Sequence, residues 1–287
     1  AHFEDSDLME TSVSHQAYEA SRLDDSETHK MLSKTYPYTI LITEDDDEVR
    51  CFLERELSPH FKTRTAANGK DALRVLEEEE ISLVVSDVMM PEMNGFELCR
   101  MIKSQLPFSH IPVILLTALT DERQRIFGIT GGADDYIQKP FHTDYVKIKI
   151  IHLLQERRKL RERLLEKLRD NKLLLSEPEK VESIDDAFLR KFAEQIEAVY
   201  ADPEYNVEKL SETLGLSRGH LHRKIKELTG TSPVEFLRTY RLNKATQLLR
   251  QNAYTVSEVA YRTGFSSPAY FSKCFKAVYG VTPTEYQ

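Results

Sequence analysis

Long apolar runs are missing from this 287-residue chain. No stretch approaches the ~20 consecutive apolar residues that carry a helix across a bilayer. Cysteine is scarce: Cys51, Cys99 and Cys274 lie far apart and form no CxxC pair. That argues against a disulfide framework or a thiolate zinc site and makes a reducing cytosol the expected compartment. The opening residues Ala1-His2-Phe3-Glu4 supply neither an initiator Met nor the basic and apolar regions of a signal peptide. The expectation is a cytoplasmic piece of a longer protein, whose parent is free to be anchored in the inner membrane. An excess of basic charge is also missing, since 39 Lys+Arg face 47 Asp+Glu for a net charge of -8.

The charge is unevenly placed. From Asp185 onward there are 14 Lys+Arg against 12 Asp+Glu, a balance of +2 that leaves -10 to the rest. The C-terminal third is therefore compatible with double-stranded DNA. Residues 1–36 are polar and acidic without a sustained period and read as a flexible tail. A regular alternation follows. Tyr38–Thr43, Lys62–Ala66, Ile81–Ser86, Ile111–Leu116 and Asp135–Gln138 read as strands. Glu48–Leu57, Lys70–Glu77, Gly95–Lys103 and Asp121–Ile129 read as helices, with Asn68-Gly69 as a turn. This pattern predicts an α/β doubly wound, five-stranded parallel sheet over 37–154, with its ligand site at the carboxyl ends of the strands. From Thr143 to about Leu175 the pattern is helical. Within the linker 155–184, residues 155–169 are heavily charged around a stripe of Leu160, Leu164 and Leu168 that Leu153 begins. A short coiled coil and a charged helix with a local packing stripe both fit, because ~2 heptads fall short of the ~3–4 that would decide. Ser176-Glu177-Pro178 breaks the helix, and 185–287 reads as an all-α domain.

The strand ends carry chemistry. They hold Glu44, Asp45 and Asp46 after the first strand, Asp87 after the third, Thr117 after the fourth and Lys139 after the fifth. Adjacent parallel strands would gather these on one edge. Clustered carboxylates repel unless a cation lies among them, and hard oxygen ligands suit Mg²⁺. A carboxylate can attack phosphorus to form an acyl phosphate, with a lysine and a metal neutralising the charge. Asp46 reads better as a helix cap than as a ligand.

The segments ILITEDD, VVSDVMMPEMNGFEL, VILLTA and GADDYIQKPF resemble the CheY-like receiver family over Tyr38 to Leu154. The resemblance implies that Asp87 is phosphorylated by a histidine kinase domain. It implies Mg²⁺ binding by Glu44, Asp45, Asp87 and the Met89 backbone carbonyl, and phosphoryl contacts from Thr117 and Lys139. Tyr136 matches the aromatic that turns inward when the threonine moves. Glu44 stands where many members have aspartate, a departure that keeps a carboxylate ligand.

Tyr205–Gly230 and Tyr254–Gly280 resemble each other. Each has a short helix, a glycine turn (Leu214-Gly215-Leu216, Thr263-Gly264-Phe265), a serine and a second amphipathic helix. That is the layout of two helix-turn-helix units, joined by a helix over Pro233–Arg250. Leu221, Ile225, Leu228, Phe271 and Phe275 read as core. Arg218 and His220, then Ser267, Ala269 and Tyr270, sit where recognition helices read bases. His222, Arg223, Lys226, Lys273 and Lys276 lie on the outward faces, and Arg223 and the three lysines suit phosphate contacts. His220 and His222, two apart on a helix, diverge and do not form a metal site. The stretch GFSSPAYFSKCFKAVYGVTPTEY resembles the AraC family of DNA-binding domains. A receiver followed by such a domain resembles the C-terminal part of hybrid two-component regulators. No DxGxG-like nucleotide site or kinase phosphoacceptor helix is present, so the expectation is a phosphoacceptor regulator rather than an enzyme. It would dimerise when phosphorylated and make no membrane contact of its own.

Overall fold

A computed structural model describes residues 30–118, 132–169 and 183–287. The expected tail up to residue 29, the helix expected at 121–129 and the break at 176–178 lie outside the described residues. The chain divides into two compact units, Ala1–Arg158 and Lys159–Gln287. No helix among the described residues is long and apolar enough to cross a membrane.

The first unit is built on β1 (Thr39–Thr43), β2 (Lys62–Ala66), β3 (Leu83–Asp87), β4 (Val113–Thr117) and β5 (Asp135–Gln138). All pairings are parallel, in the order β2-β1-β3-β4-β5. The β3 and β4 side chains are buried throughout, as a strand covered on both faces requires. On one face Ile40, Ile42, Val85, Ile114 and Leu116 pack against α1 (Asp47–Leu57) and the start of α4 (Thr143–Arg169). On the other, Leu41, Val84, Val113 and Leu115 pack against α2 (Gly69–Glu78) and α3 (Gly95–Ser104). The order reverses between β1 and β3, which are neighbours, so the crevice beyond their carboxyl ends is the topological switch point.

Several boundaries differ from the sequence reading. β4 starts at Val113, because Pro112 has no N–H to give a ladder, while its carbonyl accepts from Val84 at 2.9 Å. β3 starts two residues later and ends one residue later than expected, so Asp87 is itself the last strand residue, opposite Leu116. Asn68 is not merely a turn residue: its side chain accepts from Asp71 N and caps α2. Asp46 caps α1 as expected, accepting from the Glu48 and Val49 amides.

The second unit holds α5 (Ile184–Val199), α6 (Val207–Leu214), α7 (Arg218–Thr229), α8 (Pro233–Arg250), α9 (Val256–Arg262), α10 (Pro268–Tyr279) and α11 (Pro283–Tyr286). Capping boxes open α5, α8, α9 and α11. Gly215 ends α6 in the left-handed conformation at φ 69°, which glycine adopts without steric cost. At Gly264 (φ 78°) a Cβ would lie 2.1 Å from the Tyr200 carbonyl oxygen. Arg241 of α8 donates to that same oxygen and to the Asp202 carbonyl, each at 2.7 Å. The turn after α9 is thereby pressed against the end of α5. Leu221, Ile225, Phe271 and Phe275 are fully buried, whereas Leu228, also expected in the core, is half-buried.

Candidate functional site

Two strand ends supply the acidic cluster, and the β5–α4 loop supplies the lysine that meets it. Glu44 and Asp45 follow β1, and the Glu44 amide donates to Ala66 O at 3.2 Å, which continues the pairing with β2. Arg50, one turn into α1, donates to the Glu44 carbonyl at 2.7 Å and pairs with Asp47. This residue was not singled out in the sequence; it holds the backbone from which two acidic side chains project. Asp87 ends β3. Glu44, Asp45 and Asp87 each bring a carboxylate oxygen within 4.8 Å of the others, with Asp45 exposed and the other two buried. Among the described residues this is the group of His, Cys, Asp or Glu side chains close enough to hold a metal ion.

Lys139 closes the cluster, its ammonium 2.8 Å from Asp87 Oδ1 and 2.9 Å from Glu44 Oε2. Its own amide donates to Thr117 O at 2.7 Å, and the Lys139–Pro140 peptide is cis. Burial by itself would lower the lysine pKa, but its hydrogen bonds with Asp87 and Glu44 outweigh burial and hold it above the ordinary lysine value. Burial raises the Glu44 carboxyl above the usual carboxylate range, and the Lys139 bond opposes that only in part. Removing two carboxylates from water beside a third is costly, and one ammonium offsets only part of that cost.

Thr117 ends β4 opposite Gln138 and is buried. Met89 follows two residues after Asp87, with its side chain 70% exposed. The backbone here is tightly confined. Gly95 N donates to Val88 O at 3.0 Å, and a Cβ on Gly95 would meet Asp87 O at 2.1 Å. Gly95 lies inside a motif quoted above, yet only the fold reveals that its missing side chain lets α3 begin against the Asp87 carbonyl. Tyr136, in β5, packs half-buried against the α2–α3 core, and burial pushes its hydroxyl up to about 12.

In the second unit the two helix-turn-helix units present α7 and α10. Ser217 caps α7, accepting from His220 N, and Arg218, His222 and Lys226 are exposed. Two of the expected readers are engaged on the protein's own surface. Arg218 pairs with Glu208 at 2.7 Å, and Arg223 donates to His220 Nδ1 at 3.0 Å. An exposed pair such as Arg218–Glu208 is worth little and exchanges readily for a phosphate or a base. In α10 Ala269, Tyr270 and Lys273 are exposed, whereas Ser267 is the N-cap and accepts from Tyr270 N. The Ser267 oxygen thus has a structural duty that the sequence reading did not assign.

Residues 40–151 match the response regulator receiver domain family, and residues 210–287 match a helix-turn-helix domain family. Histidine kinase P4 of Formosa agariphila is 37% identical over 265 residues, covering 92% of this chain and 19% of that protein. The transcriptional regulatory protein GltR of Pseudomonas aeruginosa is 43% identical over 118 residues, 41% of this chain and 49% of that protein. The signal receiver domain of a signal transduction histidine kinase from Syntrophus aciditrophicus is 38% identical, covering 42% of this chain and 91% of that one at a TM-score of 0.40. The chain spans less than half the length of these two curated relatives. It carries a response regulator receiver domain and, after it, a helix-turn-helix domain of the AraC type.

Proposed function

We propose that the chain is a phosphorylation-controlled transcription regulator, in which Asp87 accepts a phosphoryl group and thereby governs DNA binding by residues 185–287. The observation that carries this reading is one chain holding both the Glu44–Asp45–Asp87–Lys139 cluster and two helix-turn-helix units. An Asp87 oxygen attacks the phosphorus of a phosphohistidine. The P–N bond breaks, and the imidazole leaves with the electron pair and takes up a proton. Lys139, already against Asp87, faces the charge that builds on the transferring oxygens. The Thr117 hydroxyl is the proposed donor to one of those oxygens, and Tyr136 the side chain that follows Thr117.

The donor set fits Mg²⁺. Three carboxylates gather hard oxygens within a few ångströms, and Glu44 is buried with its charge only partly offset. Glu44, Asp45, Asp87 and the Met89 carbonyl would hold the ion. Bound there, it would neutralise the negative charge that the phosphoryl group adds. Asp87 ends the third strand and has no second acid two residues on, which favours a phosphoacceptor over a phosphatase nucleophile of the DxDx type, and the chain is read as a regulator.

The proposed division of labour is a receiver over 37–154, a helical linker over 155–184 and a DNA-binding domain over 185–287. The proposed partners are a histidine kinase domain and double-stranded DNA. A second copy of the chain is proposed to join on phosphorylation, through the face near the helix after Phe141. Incubation with a phosphorylated histidine kinase domain tests the site. Wild type is expected to take up one phosphoryl group that base and hydroxylamine release, and Asp87→Asn none. Equal labelling of both would remove Asp87 from the reading, and steady release of phosphate from simple phosphate esters would favour a phosphatase.

A further inference from the structure

Lys224 lies in the middle of α7 and is completely buried. The core stripe of this helix runs Leu221, Lys224, Ile225, so a charge occupies a position where the helical period asks for a hydrophobe. Its ammonium lies 2.6 Å from Asp185 Oδ1 and 5.1 Å from the centre of the Phe188 ring. Asp185 and Phe188, three residues apart, share one face of α5. That face continues to Phe192, whose ring meets Phe236 of α8 edge-on at 4.8 Å. Arg218, His222 and Lys226 of α7 are exposed.

Stability alone does not account for this charge. A buried ion pair is commonly no more stabilising than a well-packed apolar pair of the same volume. The two differ in tolerance. Apolar side chains can slide past each other, whereas sliding α7 along α5 by two residues, about 3 Å, would leave the ammonium about 4 Å from its carboxylate partner, beyond hydrogen-bonding range. We infer that the Lys224–Asp185 pair is a latch that fixes the height and rotation of α7 against α5, and so aims Arg218 and His220 at base edges. Both are positioning residues, acting through the side chains that α7 presents. Asp185 also sits in the first turn of α5, the first described element after the linker, so a disturbance arriving there would reach α7 before α10. The inference rests on the reading of α7 as a recognition helix.

The test uses the full chain and a pool of randomised duplex DNA. Wild type is expected to enrich two half-sites, and Arg218→Ala identifies the one read by α7. Asp185→Ala is expected to lose about tenfold enrichment at that half-site while the other is retained. Asp185→Glu should restore it. A Lys224→Met, Asp185→Ala double variant relieves the buried charge and should recover thermal stability without recovering the α7 half-site. Loss of both half-sites in step with the folded fraction, or recovery of the α7 half-site by the double variant, overturns the latch. Amide hydrogen exchange gives a readout without DNA. Asp185→Ala should speed exchange about tenfold across 218–229 and leave 268–279 unchanged. Unaltered exchange overturns the latch by itself. If wild type enriches no sequence, the DNA-binding reading falls, and the exchange result still decides the latch.

Discussion

Lys139 divides one ammonium between Asp87 at 2.8 Å and Glu44 at 2.9 Å, while Asp45, third in the cluster, stays exposed. Two consequences belong to single residues. A cation added to this cluster should stabilise the fold by mass action. At Mg²⁺ tenfold above its dissociation constant the gain is about 1.4 kcal/mol. Thermal unfolding with and without Mg²⁺ is expected to show it for wild type and to lose it in an Asp45→Asn, Asp87→Asn variant. An equal gain in that variant would move the ion elsewhere. The second consequence concerns Gly95. Its φ is ordinary, so the penalty for a side chain is purely steric, from a Cβ at 2.1 Å from Asp87 O. Gly95→Ala is expected to cost about 2 kcal/mol in denaturant unfolding and to slow phosphoryl uptake, because the Asp87 backbone must move. A change within experimental error would show that α3 can shift freely.

At the scale of elements, four helices of the second unit begin with a serine or threonine whose partner acid, three residues on, reaches back to the cap. Backbone hydrogen bonds from Ser232, Thr255 and Thr282 hold Glu235, Glu258 and Glu285 below the usual carboxylate range, with the cap hydroxyls adding to the effect. A depressed folded-state pKa stabilises above the unfolded-state value near 4.5 and loses that contribution as pH falls through the folded-state value. The second unit is therefore expected to weaken below about pH 4.5, with Glu235→Gln, Glu258→Gln and Glu285→Gln flattening that part of the curve. Carbon-13 titration of the three carboxyls, read beside denaturant unfolding at several pH values, checks both halves. Elements were legible wherever a period or a cap signalled them. Asp46 was readable as a cap and Asp135–Gln138 as a strand to the residue. The start of β4 reads two residues early because IPVILL is apolar throughout, and only hydrogen bonding shows that Pro112 cannot join the ladder. The convergence of Glu44, Asp87 and Lys139 could be inferred from strand order. The roles of Arg50 and Gly95 could not, since both act on backbone atoms that a sequence does not display. Lys224 escaped notice because, in a helix written RGHLHRKIKELT, one more lysine looks solvated.

At the scale of the whole molecule, the proposed function requires a phosphoryl group on Asp87 to change what residues 185–287 do. Leu160 is 57% exposed on α4, an apolar residue among charges, and it is the described member of the leucine stripe most available to a second copy. Phosphorylated wild type is expected to sediment as a dimer and to bind a selected operator about tenfold more tightly than the unmodified protein. Leu160→Lys should abolish the dimer and the gain together while leaving phosphoryl uptake intact. A dimer unaffected by this change would place the contact on another face.

The clasp between Gly264, Tyr200 and Arg241 bears on the DNA that the proposed function requires. It removes the freedom of α9 and α10 to swing about α8, an 18-residue helix about 27 Å long. The two reading helices then keep one phase, and the duplex must match it. Half-sites whose separation is altered by about half a helical turn, roughly five base pairs, face opposite sides of the double helix, and one chain cannot grip both. Gly264→Ala would break the clasp, and its signature would be a protein that tolerates altered spacing while still recognising each half-site.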